Sequence, residues 1–257
     1  MKHGLIKTPE EIEIIREGGK HLARVLCAVR DAVKPGVTTR ELDQLAEKLV
    51  RDIGDEPAFL NYTPEGARTA YPGTLCVSVD DEVVHGIAGD RMLLEGEIIG
   101  IDMGVNHGGF FTDSAITVPV GEIDDIAKKL ITATDGALSA GIAVARAGNT
   151  VGDIGFAIEK YVKDKGFVVV EELGGHGVGY SQHEDPHIAN YGTRGQGVRL
   201  KSGMVIALEP IVNEGTRYIK LMPDGYTYAT KDHKRSAHFE HTILITDNSA
   251  EILTARN

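Results

Sequence analysis

One β-hairpin decides the fold of this chain: residues 96–120 read GEIIGIDMGVNHGGFFTDSAITVPV. Apolar and β-branched runs flank residues 106–109 (NHGG), a combination typical of a tight turn between antiparallel strands. Asp102 and Asp113 belong to the two strands. Because residues that pair across two strands face the same side of a sheet, the hairpin is predicted to bring both carboxylates together on one face.

The pattern of the hairpin recurs later in the chain. When GEIIGIDMGV is set against GMVIALEPIV, and DSAITV against EHTILI, Glu209 aligns with Asp102 and Glu240 with Asp113. An ionised carboxylate among apolar strands carries a desolvation penalty of several kcal/mol unless a positive charge compensates. Four such groups brought together by internal symmetry are either partly protonated or hold cations between them. Each one alone could also be a turn or edge-strand residue that backbone N–H groups or an arginine satisfy.

Helices accompany both sets of strands. Caps and apolar spacing predict four of them, over roughly 8–30, 38–53, 123–146 and 150–166. The second and fourth align without gaps at an offset of 112 residues (148 − 36), sharing charged positions as well as caps. We interpret this as a duplication within one α+β domain, residues 1–257, with halves of about 1–121 and 122–257. Its strands are expected to form a curved, mostly antiparallel sheet with the helices on the outer face.

Composition narrows the classes of function. The chain of 257 residues has a formal net charge of −11, which disfavours direct contact with nucleic acid or an anionic membrane surface. Its two cysteines cannot form a disulfide framework, as expected in a reducing compartment. The first residues are too charged for a secretory signal, and no run approaches the roughly 18 apolar residues of a membrane span. A cytoplasmic location is predicted.

Two histidines lie in a glycine-rich loop between the two carboxylate pairs. Residues 174–186 read GGHGVGYSQHEDP, which contains His176 and His183. A lone histidine is more often a satisfied polar residue than a ligand, but this context favours function. One imidazole with four carboxylates suits Mn, Fe(II), Co or Zn in a two-metal site better than a closed structural zinc site. Three further histidines without such a context are assigned to the surface: His3, His21 and His233.

These motifs together resemble the type I methionine aminopeptidases, which have the pita-bread metallopeptidase fold. The resemblance covers nearly the whole chain, and the order and spacing of its motifs are highly specific. The motifs are Val84-His85-Gly86, Ile101-Asp102-Met103-Gly104, Thr112-Asp113-Ser114-Ala115, Gly175-His176-Gly177-Val178-Gly179, His183-Glu184-Asp185-Pro186, Leu208-Glu209-Pro210 and Phe239-Glu240-His241-Thr242. The implied activity is metal-dependent removal of the N-terminal methionine, with a preference for a small second residue.

The resemblance implies a role for each metal ligand. Asp102 would chelate one divalent ion, His176 and Glu209 would bind a second, and Asp113 and Glu240 would bridge both. The ions would be Co, Mn, Fe or Zn. The implied partners are the N-termini of nascent polypeptides, met near the ribosome, and the enzyme is expected to be a monomer.

Further residues would act on the substrate. His183 would contact the substrate carbonyl and the developing oxyanion, His85 the amide on the leaving side, and Glu209 would shuttle a proton. Tyr71 and Cys76 match the family's spacing for a methionine pocket. Three aromatic residues would complete the pocket: Phe59, Tyr62 and Tyr226.

The chain departs from the family pattern at two places. Residues 63–70 (TPEGARTA) form a longer segment than usual, which would reshape the rim of the pocket. Gln182 stands where an aromatic or long apolar residue is common, so substrate preference beyond the first residue is expected to differ.

Two alternatives stay open from the sequence. A proline-directed peptidase of the same superfamily would share the metal-site motifs, although the spacing of Tyr71 and Cys76 argues against it. A non-catalytic relative that binds protein or RNA would typically have lost metal ligands, whereas all five are present here.

Overall fold

The computed structural model describes residues 4–64 and 68–256, which form helices and short antiparallel strands. The helices are α1 (Pro9–Ala32), α2 (Thr39–Asp52), α3 (Asp125–Val144) and α4 (Val151–Asp164). The strands are β1 (Glu56–Pro57), β2 (Cys76–Val79), β3 (Glu82–Val84), β4 (Ile98–His107), β5 (Phe110–Pro119), β6 (Val168–Val169), β7 (Gly174–Gly177), β8 (Glu184–Ala189), β9 (Val205–Leu208), β10 (Ile211–Asn213), β11 (Ile219–Leu221), β12 (Tyr228–Thr230), β13 (Ser236–His238), β14 (His241–Ile245) and β15 (Ala250–Ile252).

Side-chain caps define where the helices begin. Thr8, Thr38 and Thr150 each accept a hydrogen bond from the backbone N–H three residues on, and the acidic side chain at that position bonds back to the threonine backbone. This reciprocal capping box satisfies two N–H groups that a helix start otherwise leaves open. Asp124 caps α3 without a reciprocal bond: its side chain accepts hydrogen bonds from the backbone N–H groups of Ile126 and Ala127. All four predicted helices are present.

The predicted hairpin is formed by β4 and β5. Its turn is Gly108-Gly109, whose φ values of +57° and +87° lie in the left-handed region that a tight hairpin turn needs. Asp102 is paired with Ala115, and Asp113 with Gly104, so the two aspartates are diagonal neighbours on one face. Ile99, Ile101 and Met103 alternate with Asp102 along β4 and belong to the apolar core that packs against α1 and α2. The carboxylates therefore lie on the face opposite these helices.

Hydrogen bonding divides the described strands into four antiparallel groups. Their orders are β1-β4-β2 with β5 on β4, β15-β14-β9-β7-β8, β13-β10-β6 and β11-β12-β3. The two larger groups meet along a seam between β5 and the start of β14, where Thr242 Oγ1 accepts from Asp113 N at 2.9 Å and donates to Asp113 O at 2.8 Å. Glu240 N also donates to Ala115 O at 2.9 Å. The seam places Asp113 beside Glu240.

The second half has its own core beneath α3 and α4. It contains buried apolar residues from both helices and from the strands below them, including Leu130, Leu138, Ile154, Ile158, Ile206, Leu208 and Ile243. The pairs α1–α2 and α3–α4 thus cover the first-half and second-half strands respectively, as predicted for a sheet with outer helices. Within the described residues, no helix is long and apolar enough to cross a membrane.

We expect Thr150→Ala to lower the free energy of unfolding by about 1 kcal/mol, because it removes the acceptor for the Asp153 N–H at the start of α4. The matched control is Thr132→Ala, at an exposed position within α3, where alanine is the better helix former. Denaturant unfolding followed by circular dichroism measures both. Equal destabilisation of the two variants would contradict the assignment of the cap.

Candidate metal centre

One cavity gathers every site residue that the sequence predicted. It encloses about 590 Å³, counting the open space at its mouth. Its lining consists of Phe59, Tyr62, Pro64, Tyr71, Cys76, His85, Asp102, Asp113, His176, His183, Glu209, Tyr226 and Glu240. Carboxylates and imidazoles thus share the cavity with an aromatic wall.

Three of the polar side chains converge closely. Asp113, His176 and Glu240 are buried, and each offers a ligand atom within 4.8 Å of the other two. His176 Nε2 is also 3.7 Å from Glu209 Oε1 and 3.9 Å from Asp113 Oδ2. Donor atoms at these separations can surround one small cation, whose bonds to nitrogen and oxygen are about 2.0–2.2 Å long.

The charges in the cavity are not balanced by the protein. Burial raises the pKa of Asp102 and of Glu240 well above the ordinary carboxyl range, and the charge of Asp113 raises both further. Burial likewise raises the pKa of Asp113, and the charge of Glu209 adds to the effect. Three neighbouring carboxyl groups therefore resist ionisation in the protein alone.

Glu209 behaves in the opposite way. Burial by itself would raise its pKa, but the close contact with the His238 imidazole and the electrostatic effect of the neighbouring His176 imidazole lower it overall. His238 Nε2 is 3.2 Å from Glu209 Oε2. Glu209 is thus the carboxylate of the cluster that the protein's own side chains keep ionised.

Unpartnered oxygens show what the cavity fits. Asp102 Oδ1, Asp113 Oδ1 and Glu240 Oε1 are buried without a hydrogen-bond partner among the described residues. Buried polar atoms of native proteins are nearly always satisfied, by protein, water or an ion. Carboxylate oxygens beside an imidazole nitrogen form a donor set that divalent metals accept, so the residues present fit a metal centre.

The glycines around His176 let its strand enter the site. A Cβ on Gly175 would lie 2.3 Å from Ala207 O, and one on Gly177 would lie 2.1 Å from Asp185 O. Strand β7 can therefore lie between β8 and β9 only with glycine at both positions. His176 Nδ1 is 2.9 Å from Gly177 O, which assigns the ring proton to Nδ1 and leaves the Nε2 lone pair facing the carboxylates.

Two more histidines border the cavity. Burial lowers the pKa of His85, and burial together with the electrostatic effect of the neighbouring His176 imidazole lowers that of His183 to about 4. The Tyr62 hydroxyl is 3.1 Å from His183 Nδ1, and the rings of His183 and His176 are 4.4 Å apart. Both His85 and His183 are therefore neutral near pH 7 and able to donate one N–H each.

The aromatic wall forms an apolar pocket within the same cavity, beside the carboxylates. Tyr71 and Tyr226 meet edge to face, with ring centroids 5.1 Å apart, and Phe59 and Cys76 belong to the same buried cluster. Burial raises the pKa of the Cys76 thiol, so this wall stays uncharged. Cys76 pairs with Asp102 across β2 and β4, which sets the pocket next to the carboxylates.

The two described ends of the longer segment over residues 63–70 lie next to this wall. The Tyr226 hydroxyl donates to Thr69 O, and Pro64 lines the cavity. Residues 65–67 lie outside the described residues. The described ends of the segment thus contribute to the pocket rim.

Gln182 contacts the carboxylate cluster directly. Its side chain is buried, and its amide Nε2 donates a hydrogen bond to Asp113 Oδ2. Gln182 is not one of the described residues that line the cavity. Its amide therefore orients a carboxylate of the cluster, which the tertiary contact shows and the local sequence could not.

Two other histidines were misjudged or missed. His21 was predicted at the surface, but its side chain is only 15% exposed and lies against Asp55. His233 is 68% exposed, as expected, and His3 lies outside the described residues. His238, the partner of Glu209, was overlooked. Its position two residues before Glu240 was the available signal, because such spacing keeps two side chains on one side of an extended chain.

We expect Asp113→Asn to become increasingly stable relative to the wild type as pH rises, when both are measured with a chelator. A carboxyl group whose pKa is raised in the folded state contributes stability below its unfolded value of 3.8 and loses it as pH rises through the folded value. Each pKa unit is worth about 1.4 kcal/mol, so the difference should exceed about 1 kcal/mol between pH 5 and 8.

Denaturant unfolding at several pH values measures this difference. Adding Mn²⁺ to the wild type should remove most of its loss of stability, since a cation compensates the buried charges. A difference that stays flat over the same pH range would show that Asp113 is not destabilised by ionisation.

We expect Gln182→Leu to weaken metal binding about 10-fold, because the variant lacks the donor to Asp113 Oδ2 and leaves that carboxylate free to rotate. Titration of the metal-free protein with Mn²⁺, followed by calorimetry, measures the affinity. Gln44→Leu, which removes an exposed glutamine of α2, is the matched control. Unchanged affinity in Gln182→Leu would mean that the hydrogen bond does not orient the ligand.

Comparison of the sequence with known proteins identifies the family of this chain. Residues 13–247 match the model of metallopeptidase family M24. The chain is 46% identical over 250 residues to methionine aminopeptidase 1 of Bacillus subtilis, covering 97% of this chain and 98% of that protein. It is 40% identical over 253 residues to the methionine aminopeptidase of Escherichia coli, covering 98% and 94%.

Solved structures agree. The methionine aminopeptidase from Rickettsia prowazekii superposes with a TM-score of 0.93 at 38% identity, covering 97% of this chain and 99% of that one. A prolidase from Pyrococcus furiosus reaches a TM-score of 0.79 at 24% identity over 98% of this chain and 66% of its own, a likeness of fold alone. By sequence match and by fold, the chain belongs to metallopeptidase family M24 and groups there with the methionine aminopeptidases.

Proposed function

We propose that this protein uses divalent metal ions to hydrolyse the first peptide bond of polypeptides that begin with methionine. The observation that carries the proposal is the carboxylate cluster with unpartnered buried oxygens at the side of an uncharged aromatic pocket. The cluster suits cations and the pocket suits an apolar side chain. Their adjacency puts the first residue of a peptide next to the reacting groups.

The ligand arrangement supports two ions. Asp102 would hold one, His176 and Glu209 the other, and Asp113 and Glu240 would bridge between them. The bridging pair is the one that the seam between the two larger strand groups sets side by side. Co, Mn, Fe and Zn all accept such ligands. When bound, these ions activate water as a nucleophile and polarise the substrate carbonyl.

The neutral histidines act on the substrate. Tyr62 can donate to His183 Nδ1, in which case Nε2 carries the ring proton and can donate to the carbonyl oxygen as negative charge develops there. His85, kept neutral by burial, is suited to hydrogen-bond the amide on the leaving side. Glu209, kept ionised beside His238, is the carboxylate best placed to accept a proton from water and pass it to the leaving amine.

The pocket accounts for selection of methionine. An unbranched thioether fits between aromatic faces and a thiol without leaving a polar group unpaired. Phe59, Tyr71, Cys76 and Tyr226 supply those walls. The free α-amine of the substrate would lie at the Asp102 end of the cluster, which would restrict cleavage to the first residue. We propose that the second residue must be small.

We further propose the cellular setting. The substrates would be N-termini of nascent polypeptides, met near the ribosome in the cytoplasm by a monomeric enzyme. The net charge of −11 supports contact with the emerging polypeptide rather than with RNA. Two cysteines suit a reducing compartment.

The test is release of methionine from Met-Ala-Ser by chelated enzyme, before and after addition of Mn²⁺ or Co²⁺. We expect metal to restore activity and Asp102→Ala to lower it by about 100-fold or more, because the variant removes a ligand. Metal content is measured separately for each protein. Cleavage of Ala-Pro-Ala in preference to Met-Ala-Ser would favour a proline-directed peptidase. Measured metal binding without cleavage of either peptide would contradict the proposal.

A further inference from the structure

A second cluster of metal-ligating side chains lies away from the cavity. It consists of His21 in α1, Asp55 after α2 and His107 at the end of β4, and we refer to it as the His21 cluster. His21 Nδ1 is 2.8 Å from Asp55 Oδ2, and His107 Nδ1 is 2.6 Å from Asp55 Oδ1. The three ligand atoms lie within 4.8 Å of one another.

The contacts of the His21 cluster require one more N–H group than two neutral imidazoles provide. His21 Nε2 also faces a carboxylate, at 3.3 Å from Glu17 Oε1. Three nitrogen-to-carboxylate contacts therefore exist, but two neutral imidazoles carry only two N–H groups between them. One contact is left as lone pair against lone pair unless a further proton or a metal cation is present.

A metal cation resolves this shortage with the groups already in place. If an ion takes the Nδ1 lone pair of His21, the ring proton belongs on Nε2, where Glu17 accepts it. A carboxylate on the far nitrogen is the usual partner of a metal-bound imidazole. Two imidazoles and one carboxylate are, in turn, a ligand set that zinc-class ions bind with water in the remaining positions.

We propose that the His21 cluster binds one divalent transition-metal ion of the zinc class, through His21 Nδ1, His107 Nδ1 and the Asp55 carboxylate. The Asp55 side chain is only 3% exposed, whereas those of His21 and His107 are 15% and 28% exposed. The anionic ligand is thus held inside while the imidazole rim leaves a path for the ion. The imidazole rings stand nearly perpendicular, with their centroids 5.0 Å apart.

The site would fasten three elements of the first half. A Cβ on Gly18 would lie 2.9 Å from His107 Cβ, so α1 packs directly on the end of the hairpin. Asp55 ties the end of α2 to the same point. A bound ion would stabilise the scaffold that carries Asp102 and Asp113 without touching the reacting groups, so this proposal is independent of the proposed function.

The test counts Zn²⁺ per chain, by elemental mass spectrometry after dialysis, in the full-length wild type and in variants. His107→Gln and His21→Gln should each bind one ion fewer than the wild type, and both should still release methionine from Met-Ala-Ser when Mn²⁺ is supplied. The matched control is His233→Gln, which alters an exposed histidine paired with a single aspartate, Asp81, at 2.9 Å. It should bind as many ions as the wild type. Equal zinc counts in all four proteins would overturn the proposal.

A measurement on the unaltered protein guards against variants that fail to fold. The imidazole ¹⁵N resonances of His21 and His107 are followed by NMR while Zn²⁺ is added to the wild type. We expect the Nδ1 signals of both residues to shift together, at the one equivalent of Zn²⁺ that the wild type binds in addition to the ions bound by His107→Gln. If His107→Gln does not fold, the same joint shift should form one separate step of the wild-type titration. Signals that stay unchanged throughout would overturn the proposal.

Discussion

The rest of the structure depends on the burial of carboxylates along the seam between β5 and the start of β14. Thr242 bonds to both backbone groups of Asp113, and Glu240 N bonds to Ala115 O, so the two halves of the chain join at the point where acidic side chains meet. A join between apolar strands would be cheaper for the protein alone. Here Asp113 Oδ1 and Glu240 Oε1 are left without hydrogen-bond partners among the described residues, and a bound cation would make that arrangement favourable.

The same constraint explains how the surrounding groups are arranged. Gln182 donates to Asp113, and His238 faces Glu209, so the cluster contains one carboxyl group held in orientation and one kept ionised. The neighbouring imidazole of His183 is kept neutral chiefly by burial. Different side chains in and around the cluster are thus suited to orienting a carboxylate, accepting a proton and donating a hydrogen bond.

A second consequence concerns the scaffold. The turn end of the hairpin that carries Asp102 and Asp113 is fastened by His107 against Asp55 and α1. A buried carboxylate shared by two imidazoles is itself a polar group inside the protein that needs compensation. Acid and histidine side chains thus meet at two places along the hairpin, in the cavity midway along its strands and in the His21 cluster at its turn end.

The sequence alone determined the caps of the helices, the turn of the hairpin, and the placement of Asp102 and Asp113 on one face of it. These are local or periodic features, governed by backbone geometry over a few residues. Only the tertiary structure decided that Gln182 contacts Asp113, which is 69 residues away in sequence. It also decided that His21 and His107, which are 34 and 52 residues from Asp55 in sequence, both contact that carboxylate. Such partners are chosen by how separate elements pack together, and a chain read one segment at a time contains no record of that packing.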